Sequence, residues 1–202
     1  MKRIVKLVLF IIIGAVFMSG CGNTGIKGSV TPKQIIDSDA KRIGYYVSGE
    51  ISADAVPGMI VVFQNGKGVV YRGEKETLGE LDLLEDDEIL ELVKDREHYE
   101  GSAEILLYTE FLSNKVLMEQ IDLVIENGVS YNVISWVIDV ENKDYYKQGV
   151  ELGDNTYYGY NLLNGDGTTK DYLIFRIDAD NFSLELDSEK TQGIKKEVVG
   201  GF

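Results

Sequence analysis

The chain contains one cysteine, one histidine, one tryptophan and two prolines in 202 residues, and each scarcity closes off a class of protein. A lone Cys21 cannot form an internal disulfide, so stability has to come from a packed apolar core. With His98 as the sole histidine, zinc is denied its usual set of nitrogen and sulfur ligands. No Gly-x-Ser-x-Gly or comparable catalytic motif is present. Basic side chains are also few, 20 against 34 acidic ones, for a formal charge of −14. Such a surface repels phosphate backbones, which excludes nucleic-acid binding as a main activity. The apolar run Leu7 to Phe17 is short. Eleven residues rise about 16 Å as a helix, against a hydrocarbon core about 30 Å thick.

What is present begins at the N-terminus. Met1-Lys2-Arg3 with Lys6 forms a basic segment, Leu7 to Phe17 an apolar core, and Met18-Ser19-Gly20-Cys21 follows. The order is that of a secretory signal, and the tetrapeptide resembles the lipobox of bacterial lipoprotein precursors. The resemblance covers residues 1–21. It implies a diacylglyceryl group on the Cys21 sulfur, cleavage just before Cys21, and palmitate-type chains that hold the protein on the extracytoplasmic face of the cell membrane. Two acyl chains give stable attachment where one gives only marginal binding. Met18 stands where leucine is more usual. Gly22, in place of aspartate, lacks the usual inner-membrane retention signal of cells with two membranes. Low proline and Ile-, Lys- and Glu-rich usage point to a Gram-positive cell. Cleavage removes three of the 20 basic side chains and none of the 34 acidic ones, deepening the formal charge to −17. Membrane contact is therefore expected through the lipid and not through the protein surface.

Residues 1–20 are thus expected to be the signal peptide and 21–30 the lipidated cysteine with a flexible, glycine-containing tether. Residues 31–190 should form a single β-rich domain, and 191–202 a loosely ordered tail. Within the domain, period-two alternation broken by turn residues dominates. Met59 to Gln64 leads into Asn65-Gly66, and Gly68 to Arg72 leads out, the signature of a type I′ hairpin. Val116 to Glu126, Asn127-Gly128 and Val129 to Val140 repeat the device. Tyr157 to Leu163 and Asp171 to Asp178 flank Asn164-Gly165-Asp166-Gly167. Ile43 to Val47, Glu104 to Leu112 and Phe182 to Asp187 bring the count to about nine strands. Helical spacing of Ile89, Leu90, Leu92 and Val93 predicts one helix over Asp86 to His98, with Gly101 as its stop, and Thr77 with Glu80 can open an earlier turn as a capping box. The expectation is an α+β domain, mainly antiparallel β: a curled sheet or lipocalin-like half-barrel with one helix.

Chemistry is harder to find. His98 reads as a helix-end residue and not as a catalytic base. Oxygen donors at Asp154-Asn155, in the Asn164 loop and at Asp178 to Asn181 match no calcium-binding spacing, and suit turns for backbone reasons. No cofactor, metal site or catalytic residue is assigned. Twelve acids between Glu74 and Glu100 suggest a face for a basic partner, with Asp86, Asp87, Glu88, Glu91 and Asp95 on the helix. Five tyrosines, Tyr145, Tyr146, Tyr157, Tyr158 and Tyr160, suggest a recognition surface for a protein, peptide or cell-wall ligand. A surface-tethered binding module without catalytic activity is the favoured reading. A carrier of a small apolar ligand and a carboxylate-dependent envelope hydrolase are the alternatives.

Overall fold

The computed structural model describes residues 28–111, 113, 115–126, 131–142, 149–163, 170–177 and 183–199. Cys21, Tyr145, Tyr146 and the Asn127, Asn164 and Asp178 turns lie outside them. The elements in order are β1 (Ser29–Val30), α1 (Pro32–Asp37), β2 (Arg42–Ser48), β3 (Met59–Gln64), β4 (Lys67–Arg72), α2 (Leu78–Asp82) and α3 (Asp86–Val93). They continue with β5 (His98–Glu110), β6 (Val116–Glu126), β7 (Tyr131–Ile138), β8 (Val150–Leu152), β9 (Asn155–Leu162), β10 (Asp171–Arg176), β11 (Ser183–Leu184) and β12 (Lys195–Val199).

The sheet closes. β2, β3, β4, β5, β6, β7, β9 and β10 pair in that order, and β10 returns to β2 with Asp171 opposite Ser48 and Phe175 opposite Gly44. Each of these neighbours is antiparallel, so the result is an eight-stranded up-and-down barrel. The expected half-barrel is thereby corrected: closure satisfies the edge groups that an open sheet would leave unpaired. β8 lies outside the ring as a short partner of β9. The seam between β7 and β9 is narrow, a single residue pair, Ile138 opposite Leu162.

Side-chain alternation sorts the core into two layers. Val61, Phe63, Val70, Ile105, Leu107, Ile121, Leu123, Trp136, Tyr160, Leu173 and Phe175 fill the interior. The Phe63 and Trp136 rings meet edge to face at 6.2 Å. Ile43, Tyr45, Ile60, Val62, Tyr172 and Ile174 point outward, where Leu78, Leu81, Ile89 and Val93 of α2 and α3 cover them.

Three helices replace the single one expected. α1 begins at a capping box in which Thr31 and Gln34 satisfy each other's backbone N–H groups, with Pro32 at the first helical position. Its Ile35 and Ile36 join the interior layer with Val30 and Leu184, so α1 stops one end of the barrel. α2 opens on the Thr77 and Glu80 capping box read from the sequence. α3 is shorter than expected and ends at Val93, because His98 already belongs to β5. Gly101 stops no helix. It sits in β5 opposite Gly68, and a Cβ on it would lie 2.2 Å from the Val124 carbonyl oxygen.

The β3–β4 turn is as the sequence requires, with φ of 52° at Asn65 and 75° at Gly66. Both ends of the domain depart from expectation. Ser29–Val30 is not tether but a strand pairing in parallel with Ser183–Leu184. Lys195–Val199 is not a loose tail; it runs in parallel along β5, from Leu106 to Glu110.

Candidate ligand groove

α3 fixes the site. Its N-terminal end carries Asp86, Asp87 and Glu88, which favour the positive end of the helix dipole. Ile89 and Val93 are buried against the barrel. That anchoring sets Asp87, Leu90, Glu91 and Lys94 beside the outer face of β3 and β4. Between them runs a groove of about 740 Å³, bounded also by Lys41, Val62, Gln64, Asn65, Lys67, Val69, Tyr71 and Glu100. Val62, Val69, Tyr71 and Leu90 supply apolar surface. Charges of both signs surround it: Asp87, Glu91 and Glu100 against Lys41, Lys67 and Lys94.

The five acids singled out for the helix are all exposed, but Asp95 lies beyond the end of α3, and the other four divide by task. Asp86 holds the Arg176 guanidinium, which also donates to the Leu84 carbonyl at 2.7 Å. Glu88 accepts from the Glu85 N–H at 2.9 Å and caps its own helix. Glu91 pairs with Lys94. Of the five, Asp87 and Glu91 border the groove. The basic rim, Lys41 and Lys67, escapes a sequence reading because the two residues are far from the acidic stretch and meet it only through the fold. The Asn65-Gly66 turn between Gln64 and Lys67 is the one local signal that brings part of that rim together.

The described tyrosines do not form a recognition surface. Tyr157, Tyr158 and Tyr160 are 1%, 7% and 0% exposed. Tyr157 donates to buried Asp82 at 2.8 Å, Asn155 adds its side-chain amide to the same oxygen at 3.0 Å, and Tyr45 packs at 6.0 Å. Burial, then the Tyr45 hydroxyl and Asp82, push the Tyr157 phenol well above its usual range. Tyr160 donates to the Glu185 carbonyl. These rings join strands to α2 and to the segment after β11; their β-rich spacing reflected packing. Asn155, considered above as an oxygen donor for calcium, is engaged with Asp82.

His98 sits at the start of β5 rather than at a helix end, its ring 5.5 Å from Tyr71 and its Nδ1 3.0 Å from the Arg96 carbonyl. Among the described residues no group of three or more His, Cys, Asp or Glu is placed to hold a metal. No described helix is long and apolar enough to cross a membrane.

One carboxyl pair went unrecognised in the sequence. Glu119 and Asp187 are 0% and 2% exposed at the end of the barrel stopped by α1. Glu119 Oε2 accepts from the Asp187 N–H at 3.1 Å, and Asp187 Oδ2 accepts from the Lys33 N–H at 2.8 Å. Burial, and then the neighbouring Asp187 carboxylate, push Glu119 up to about 9. Glu119 is therefore held as the neutral acid at neutral pH. Alternation in β6 (Glu119, Ile121, Leu123, Ile125) is the signal that could have found it, since a lone acid on an inward face needs a partner. Enclosure keeps the pair out of reach of a substrate.

Compared with known proteins, the chain matches no family model, no curated protein and no solved structure.

Proposed function

We propose that the chain is a lipid-anchored extracytoplasmic binding module, tethered through Cys21 and taking its ligand in the groove beside α3. The observation that carries the binding reading is an open groove outside the barrel, while among the described residues Phe63, Trp136, Tyr160 and Phe175 occupy its inside. A carrier of the lipocalin kind keeps its ligand within the ring, and a carboxylate hydrolase needs its acids in a cleft. Neither requirement suits this barrel. Apolar surface between rims of both charges fits a short peptide segment carrying an acidic and a basic residue around an apolar one.

Two experiments test the two halves of the reading. For the groove, the full-length chain is panned against a pool of random hexapeptides, and the best binder is titrated by fluorescence anisotropy. Leu90→Arg is expected to weaken that peptide at least tenfold, and raised salt to weaken it further. Binding indifferent to Leu90→Arg rules the groove out. For the anchor, Cys21→Ser is expected to abolish palmitate incorporation and to release the protein from the membrane fraction. Unchanged labelling and fractionation would refute it.

A further inference from the structure

The lower-numbered half of β5 pairs with β4 over His98 to Ser102. Beyond that point Ala103 to Glu110 runs on with β6 past the β3–β4 turn, and β12 follows its edge. The three strands make a finger that projects from the end of the barrel stopped by α1. Its inner face packs on the interior through Ile105, Leu107 and Ile121. Its tip does not. Phe111 is 64% exposed, and Leu117, Val198 and Val199 are 40%, 59% and 45% exposed. Large apolar side chains exposed towards one end of a heavily charged protein mark a contact surface. Exposed Lys115 and Glu110 flank the tip, while Lys195 lies nearer the base, opposite Leu106 and paired with Glu104.

The tether leaves from this same end. The Gly28 carbonyl accepts from Ser183, β11 leads on to Asp187, and Asp187 bonds Glu119, whose cross-strand partner is Leu107 in the finger. Cys21 is seven residues from Gly28, a reach of roughly 25 Å at full extension. A barrel held that closely presents this end to the bilayer.

We infer that the finger tip, with Phe111 at its centre, seats in the interfacial layer of the lipid bilayer and sets the orientation of the barrel on the membrane. The inference rests on the Cys21 anchor and departs from the expectation that lipid alone makes the contact. The strongly negative net charge describes the whole surface, whereas the tip offers large exposed apolar side chains, which suit the headgroup boundary.

The test uses the lipidated full-length chain in phosphatidylcholine vesicles containing brominated acyl chains, which quench indole fluorescence at contact. Phe111→Trp places an indole at the tip, and Tyr99→Trp places one at the opposite end of β5, where Tyr99 is also exposed, at 45%. Buried Trp136 reports that each variant is folded. The expected result is at least twofold quenching for Phe111→Trp and less than 1.2-fold for Tyr99→Trp; Leu117→Trp should behave as Phe111→Trp does and serves should that variant misfold. Equal quenching at the two ends, or none at the tip, overturns the inference. A chain that floats with the vesicles yet shows no tip quenching fails here alone, and one that does not float retires the anchor as well. Shielding of the tip indole that grows with protein concentration in detergent would assign the finger to a second copy and also overturn the inference.

Discussion

The two halves of the barrel are built to different rules. In β3, β9 and β10 most residues are buried, because α1 and the interior lie on one side and α2 and α3 on the other. Those strands read as continuous apolar runs, Ile60-Val61-Val62-Phe63 and Tyr172-Leu173-Ile174-Phe175. In β5, burial alternates towards the tip, and in β6 buried Ile121, Leu123 and Ile125 alternate with half-buried Asp122 and Val124. A strand covered on one face needs only half its residues apolar. The difference says where the molecule can tolerate change and where it can meet a partner.

The contrast can be broken hardest at Phe63, on the doubly covered side. Phe63→Ala opens a cavity in the interior layer and should cost about 3–5 kcal/mol in chemical denaturation. Leu81→Ala, stripping the second layer from outside, should cost about 2–4 kcal/mol. A loss near zero there would mean that the helices lie loosely on the barrel.

On the singly covered side the largest expected effect is electrostatic. Glu119 titrates near 9 in the folded protein and near 4.3 when unfolded. Between those values the folded state holds the extra proton, so stability should fall as pH rises from about 4.5 to about 9, and level off above. Glu119→Gln retains an acceptor for the Asp187 N–H and removes the ionisation. Its melting temperature should vary less with pH and exceed that of the parent at pH 8; a steeper profile in the variant contradicts the assignment. Tyr157→Phe, which removes the hydroxyl from Asp82, should cost about 1 kcal/mol. Val133→Thr, on the exposed face of β7, should stay within about 0.5 kcal/mol.

Local chemistry made some of this readable in advance. Asn65-Gly66 dictates its turn through positive φ, and Thr77 with Glu80 caps α2, because each signal is complete within a few residues. Asp86 and Asp87 marked the start of α3 for the same reason. Its end was obscured, since Lys94 and Arg96 suit a helix terminus equally well while β5 claims His98. Thr31-Pro32-Lys33-Gln34 holds a full capping box that announces α1, yet six residues are too few for helical periodicity to show. The tyrosines misled because strand burial and surface recognition favour the same side chain. Closure, β12 and the groove were hidden for another reason. Each depends on residues brought together from distant parts of the chain, and no local pattern encodes which edge meets which.

The register between Asp171 and Ser48 carries a consequence for how the molecule comes into being. The first and last staves of the ring are neighbours, so a nascent chain must deliver most of its length before β2 meets β10. Assembly dominated by such remote contacts is intrinsically slow. Until that final stave arrives, the growing sheet has two raw margins, and any factor that shepherds newly made polypeptide would find its handhold there.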